Sequence, residues 1–503
     1  MREETKKLLG KYLDSNYPII YINHSDFIDV DNALSEVLEI KEEKIYEFSN
    51  AFGTLNFKTK NLIMECNLED FLKNIIQNQK MEAAYILKDI YENMKSPKII
   101  DLFRHIAEAA LNKKNFRSKI LIVSSKVVIP PELENFIILM DVPLPDNDEI
   151  TTAIKNFSRE NNFKLDNETT QKLIFSLKGL NSLQIEQVLS LAYQIGGELD
   201  ISDKSFILGE KEQIIKKSGI LELVNFDEKI DDIGGLENLK KWLKGKAEIF
   251  SALDEAIKFG VDIPNGILIL GMPGCGKSLA AKATARLFDV PLIRLDIGRL
   301  MGKFLGESEA NMRRALKLSE NVSPCVLWID ELEKAFVGIN GGNQGGETAT
   351  RLFGNFLTWM QEKESTVFIV ATANKISNLP PEFLRKGRFD ELFFVDFPNE
   401  NERKKIIEIH LKKRKKFNNN IDLDLLSKRT DGFSGADLES IVKDSVEKAF
   451  INFKNGKKSE ITTEFLLDSI KNTKSISEAQ KENIKKLKDS LREYDIKKAS
   501  QSE

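Results

Sequence analysis

Residues 263–278 read IPNGILILGMPGCGKS: an apolar run ends at Gly271, four residues intervene, and Gly276, Lys277 and Ser278 follow. This spacing is that of a phosphate-binding loop, and its chemistry explains it. Glycines let backbone N–H groups close around a polyphosphate, so Pro273, Gly274, Cys275 and Gly276 form the wrap. Lys277 brings a positive charge to the outer phosphates, and Ser278 offers its hydroxyl to Mg²⁺. Leu279 follows in the helix KSLAAKATARLF, whose N-terminal partial charge faces the same anion. Cys275 contributes its backbone here rather than redox chemistry.

Downstream, apolar runs at 265–271, 292–298, 325–331, 366–372 and 391–397 read as strands, with helical patterns from 400 to about 450. A doubly wound sheet binds ligands at the carboxyl ends of its strands, and the next polar residues stand at those ends. VLWIDE at 326–331 delivers Asp330 to hold Mg²⁺ and Glu331 to polarise an attacking water. Asn374 ends VFIVATAN, where its amide can face a γ-phosphate or the lytic water. Arg385 and Arg388, in FLRKGRFDE, carry guanidinium groups of the kind that stabilise a transferring phosphoryl group.

Upstream, residues 1–150 repeat the plan, with strands expected at 17–23, 44–50, 83–89, 119–125 and 136–143, and 151–215 read as helices alone. LKGLNSLQIEQVL stands where TDGFSGADLESIV stands in the second half, so the chain reads as two tandem copies of one α/β fold. The first copy lacks the chemistry. After its first strand it has HSDFIDVDN, without glycine or Gly-Lys-Ser, and Asp89 ends its third strand with no second carboxylate, which makes Asp89 a strand-end residue rather than a metal ligand. The expected division is 1–150, a degenerate α/β domain; 151–215, its helical lid; 216–398, the active core; 399–472, its lid; and 473–503, a C-terminal amphipathic helix and tail.

The 503 residues allow two or three domains, and 41% apolar with 30% charged residues fits a globular protein. A net charge of −4 exerts no global pull on nucleic acid. No apolar run reaches the roughly 18 residues that span a bilayer, and MREETKK has no apolar signal core behind it, so the cytoplasm is the expected compartment. Three cysteines suit a reducing interior, and three histidines with no HExxH motif exclude a fused zinc protease.

With these motifs in place, residues 227–472 resemble an AAA ATPase module of the group that includes membrane-bound proteases, the valosin-containing protein and proteasomal ATPases. The matching segments are DDIGGLENLK, GILILGMPGCGKSLAAKA, FLGESEANMRRA, VLWIDELEKAF, ATAN, LRKGRFDE and GFSGADLESI. The resemblance implies a P-loop fold with a helical lid, in which Asp232 and Gly234 contact adenine and His410, Gly435 and Ala436 close the nucleotide site. It implies ATP and Mg²⁺ as ligands, and makes Asn374 the phosphate-sensing residue. Arg385 and Arg388 would act on ATP in a neighbouring subunit of a homohexameric ring. Phe304, Leu305 and Gly306 match the pore loop with which such rings grip an unfolded chain. Departures are Pro380 in place of the family's Asp before Pro-Ala, and Glu391 in place of a basic residue. The whole chain resembles the chloroplast-reading-frame forty-six family, which implies the stroma if the gene is plastid-encoded.

Two further segments are ambiguous in sequence. Residues 337–347, VGINGGNQGGE, read as a second pore loop or a flexible connection, and 475–500 carry Ile484, Leu487, Leu491 and Tyr494 on one helical face for packing on the ring. Lysines at 411–416 and 454–458 read as a solvated face. The sequence therefore predicts an ATP-hydrolysing ring that remodels a macromolecule, with protein favoured as substrate. A nucleic-acid motor and a slow nucleotide switch are the alternatives.

Overall fold

The computed structural model describes residues 3–15, 17–38, 44–78, 83–112, 118–196, 199, 207, 209, 211–213, 215–216, 219–300, 307–336, 344–385, 387–418, 420–456, 460–475 and 496–501. The chain divides into two compact units, Met1–Ile207 and Leu208–Glu503.

In the first unit, β1 (Ile19–Asn23), β2 (Ile45–Ser49), β3 (Gly53–Asn56), β4 (Leu62–Met64), β5 (Ala84–Lys88), β6 (Lys119–Ser124) and β7 (Ile137–Asp141) form one sheet in the order β4-β3-β2-β5-β6-β1-β7. The five strands expected from sequence run parallel, and β3 and β4 add an unforeseen antiparallel extension beyond β2. Residues alternate between two cores. Ile19, Tyr21, Ile120 and Ile122 pack with Phe71 and Phe103, whereas Ile20, Ile22, Leu121 and Val123 pack with Leu9, Val30 and Leu34. A strand buried on both faces needs apolar residues in both phases, hence the unbroken apolar runs. Helices Asn147–Glu160, Asn167–Leu177 and Ser182–Gly196 follow.

In the second unit, β8 (Leu221–Leu223), β9 (Gly266–Gly271), β10 (Leu292–Leu295), β11 (Cys325–Ile329), β12 (Val367–Ala373), β13 (Glu391–Val395) and β14 (Lys497–Lys498) are ordered β14-β13-β9-β12-β11-β10-β8. Without its edge additions this sheet reads β10-β11-β12-β9-β13, which matches β2-β5-β6-β1-β7 strand for strand. The internal repeat is therefore topological as well as textual. Four lid helices, Glu400–Lys413, Leu423–Arg429, Gly435–Lys454 and Thr463–Asn472, share a core that includes Leu411, Leu426, Leu438 and Leu466.

Three expectations are corrected. β10 stops at Leu295 rather than 298, because Asp296 Oδ1 accepts from the Gly298 N–H at 2.8 Å and starts the helical turn Ile297–Leu300. The glycine-rich run ends in a helix, Gln344–Glu362, while 337–343 lie outside the described residues. The helical pattern read to 500 does not hold at 497–498: β14 pairs in parallel with Phe393 and Phe394, and the buried Ala499 donates its N–H to Phe394 O at 2.9 Å. Ile484, Leu487, Leu491 and Tyr494 lie outside the described residues.

Candidate nucleotide site

β9 is buried along its length between β12 and β13, so its end projects from the middle of the sheet. Gly271 there has φ +151°, and a Cβ would stand 2.1 Å from Val395 O; only glycine fits. Gly274 and Gly276 also have positive φ, +73° and +94°, which curls the loop into the helix Lys277–Phe288. The lid closes on this loop: the Ala436 N–H donates to Gly274 O at 2.9 Å, and a Cβ on Gly274 would meet Ser434 Oγ at 2.9 Å.

Loop, strand ends and lid enclose a cavity of about 440 Å³. Its walls include Pro273, Gly274, Cys275, Gly276, Lys277, Ser278 and Leu279 from the loop, and Asp330, Glu331 and Asn374 from the strand ends. Asp232 and Gly234 enter from the DDIGG segment, and His410, Gly435 and Ala436 from the lid. Its lining mixes apolar side chains, Ile233, Ile406 and Ile409, with the loop residues, Lys277 and the carboxylates. Such a mixture of apolar and charged lining suits a ligand that carries both a base and phosphates. Ser278 and Asp330 both line the cavity, and their hydroxyl and carboxylate are the hard oxygen donors that Mg²⁺ takes.

Lys277 is buried, and its Nζ donates to Gly271 O at 3.0 Å and Met272 O at 2.7 Å. Burial pulls its pKa down to about 8, against the opposing charges of Glu333, Asp330 and Glu331. Burial pushes the Cys275 thiol up to about 12, so it stays protonated and unreactive. Burial also lowers the pKa of His410, whose Nδ1 lies 3.7 Å from Glu439 Oε1.

The carboxylates are held by Asn374 and by two neighbours that the sequence motifs did not single out, Thr372 and Glu333. Thr372, buried on β12, donates its hydroxyl to Asp330 Oδ1 at 2.6 Å and accepts the Glu331 N–H at 3.1 Å. Glu331 has φ +52°, a left-handed conformation that costs a non-glycine residue about 1–2 kcal/mol, and the Thr372 bond holds it there. Asn374 donates its N–H to Glu333 Oε1 at 3.1 Å and its side-chain amide to Glu331 Oε1 at 3.4 Å. Burial raises the pKa of Glu333. Strand alternation puts 372 on the same face as 374, so ATAN carried a signal for Thr372. Glu228, Lys413 and Glu439 also line the cavity, and Glu228 is paired to Lys282 of the loop helix at 2.9 Å. Gly235 and Gly234 of DDIGG are required for packing: a Cβ on each would strike Glu402 or Ile406 of the lid at 2.3 or 2.4 Å.

Arg385 and Arg388 do not line this cavity. Arg385 is exposed, and the half-buried Arg388 donates Nη1 to Glu382 O at 2.9 Å. Phe304, Leu305 and Gly306 lie outside the described residues. In the first unit, Asp89 is consumed locally, its Oδ1 accepting from Ser124 Oγ at 3.1 Å and the Ser125 N–H at 3.2 Å.

Comparison with known proteins agrees with this architecture. The profile of the ATPase family associated with various cellular activities (AAA) matches residues 267–397, and that of the AAA+ lid domain matches 420–464. Profiles of the SpoVK-like AAA ATPase N-terminal and second domains match 5–142 and 148–218. A relative in Guillardia theta is 36% identical over 480 residues, covering 95% of this chain and 93% of its own. Another in Pyropia yezoensis is 36% identical over 480 residues, covering 94% and 95%. Both bear the name uncharacterized AAA domain-containing protein ycf46. The chain belongs to the ycf46 family of AAA domain-containing proteins. Membership in this AAA family supports ATP-binding ATPase activity. Among the described residues, no helix is long and apolar enough to cross a membrane.

Proposed function

We propose that the second unit binds ATP with Mg²⁺ and hydrolyses it within a homohexameric ring that remodels a macromolecular substrate, protein in preference to nucleic acid. The observation that carries this reading is the single cavity in which the phosphate loop, Asp330, Glu331, Asn374 and the lid residues meet. Loop amides and Lys277 bind the phosphates, and Ile233, Ile406 and Gly234 receive the base. Ser278 and Asp330 would hold Mg²⁺, which supplies charge neutralisation for the phosphates when bound. Glu331 polarises the attacking water, and Asn374, bonded to Glu331, orients it toward the γ-phosphate. Arg385 and Arg388, outside their own cavity, suit service to a neighbouring subunit's ATP. Phe304 would contact the substrate. The first unit, without a glycine loop or a second carboxylate, is catalytically inactive and positions that substrate. The proposed compartment is the cytoplasm, or the stroma for a plastid-encoded chain.

The test is steady-state ATPase rate against protein concentration, with unfolded protein or nucleic acid added, alongside mass photometry. The rate per subunit should rise as hexamers form and rise further with unfolded protein. Stimulation by nucleic acid with a steep salt dependence would replace the remodeller with a nucleic-acid motor. A slow, concentration-independent rate would replace it with a switch.

A further inference from the structure

The two units solve the same junction differently. In the second unit, five residues, Met272–Gly276, connect β9 to its helix; in the first, only three, His24–Asp26, connect β1 to the helix Phe27–Val37. In both, a lid helix arrives at the junction by its N-terminus, with the same reciprocal cap. Ser434 and Asp437 exchange side-chain-to-backbone hydrogen bonds at 3.2 and 2.9 Å, and Asn181 and Gln184 do so at 2.8 and 2.9 Å. The amide of the helix's second residue then reaches across to the sheet domain. In the second unit this is Ala436, donating to the Gly274 carbonyl at 2.9 Å. In the first it is Leu183, donating to the Asp26 carboxylate at 3.1 Å.

Asp26 makes a second bond of the same kind. Its Oδ1 accepts the Asp29 N–H at 3.1 Å, capping the helix that corresponds to the phosphate-loop helix, while Oδ2 takes Leu183. Asp26 is 3% exposed, and among the described residues no lysine or arginine pairs with it. A buried charge needs compensation, and two helix N-termini supply partial positive charge and N–H donors together. In the second unit the corresponding two N-termini face the nucleotide cavity.

We propose that Asp26 is an internal anion that takes the place of a phosphate in the first unit and pins its lid to its sheet domain without nucleotide. The first unit thus keeps one lid arrangement whatever occupies the second, and a bound phosphate is excluded there by the carboxylate that already holds the two helix N-termini. Nothing in this depends on the second unit being an ATPase.

The test is hydrogen–deuterium exchange on the full chain, comparing wild type, Asp26→Ala and Asp26→Asn, each with and without sulfate as the anion probe. In Asp26→Ala, amides of 27–30 and 182–186 should exchange at least about tenfold faster, and sulfate should restore both segments by filling the vacated anion site. In wild type, neither sulfate nor ATP should change them. Unaltered exchange at 182–186 in Asp26→Ala, or no recovery with sulfate, overturns the proposal, as does an ATP-dependent change there in wild type. If Asp26→Ala fails to fold, Asp26→Asn decides: its one acceptor oxygen should protect only one of the two segments, and full protection of both shows that the charge is not needed.

Discussion

The hydroxyl of Thr372 donates to Asp330 Oδ1 at 2.6 Å and thereby fixes the carboxylate that ends β11 from the neighbouring strand β12. The same oxygen accepts the Glu331 N–H, so one buried side chain sets both acidic residues at once. Thr372→Val keeps the shape and removes the hydroxyl. Loss of this bond leaves Asp330 without its donor, a cost of about 1–3 kcal/mol. We expect kcat to fall roughly tenfold with ATP affinity little changed, and Thr372→Ser to restore it. ATPase kinetics beside a nucleotide titration check this; a pure affinity loss would place Thr372 outside catalysis.

Glu331→Gln retains the left-handed turn and its bond from Asn374 but no longer accepts a proton. Turnover should fall by roughly 10²–10⁴ while ATP stays bound. Undiminished turnover removes Glu331 from the mechanism.

Arg388→Ala leaves its own cavity intact, because Arg388 does not line it. ATP binding should be unchanged and turnover reduced by roughly 10³ or more. Mixing with Glu331→Gln subunits, whose arginine is intact, should recover activity at composite sites. Intact rings without recovery would count against action between subunits.

Lys277 gives the site a pH dependence with a definite sign. Its folded pKa is about 8, below the ordinary 10.5, so the unfolded chain holds the proton more tightly. Its burial therefore costs stability below pH 8, and the cost fades as pH rises from 8 toward 10.5. A bound polyphosphate draws the proton back, so affinity should drop roughly eightfold between about pH 7.5 and 9, with proton uptake seen by calorimetry in buffers of different ionisation enthalpy. Lys277→Arg, which stays charged, should show no such fall. A flat wild-type profile would contradict the role of burial.

Nucleotide stoichiometry separates the two units. The full chain should bind one ATP, and Lys277→Ala should bind none, measured by equilibrium titration. Saturable binding that survives in Lys277→Ala would assign a site to the first unit.

That the glycine loop, Asp330, Glu331 and Asn374 share one cavity was legible because each depends on a few consecutive residues: glycines where φ is positive, and polar residues at the end of an apolar strand. The parallel strands were legible for the same local reason, since burial on both faces demands continuous apolar side chains. β3, β4, β8 and β14 were not, being two to four residues long and defined by pairing rather than by pattern.

The sequence by itself determined the tandem α/β repeat, the absence of a Gly-Lys-Ser motif after the first copy's first strand, and the residues that meet in the second copy's cavity. Only the tertiary structure decided that Thr372 governs both carboxylates and that Asp26 reaches Leu183 across 157 residues of chain. Local residues set backbone conformation and strand burial, whereas a hydrogen bond across a fold exists only where distant segments converge at about 3 Å with donor and acceptor aligned.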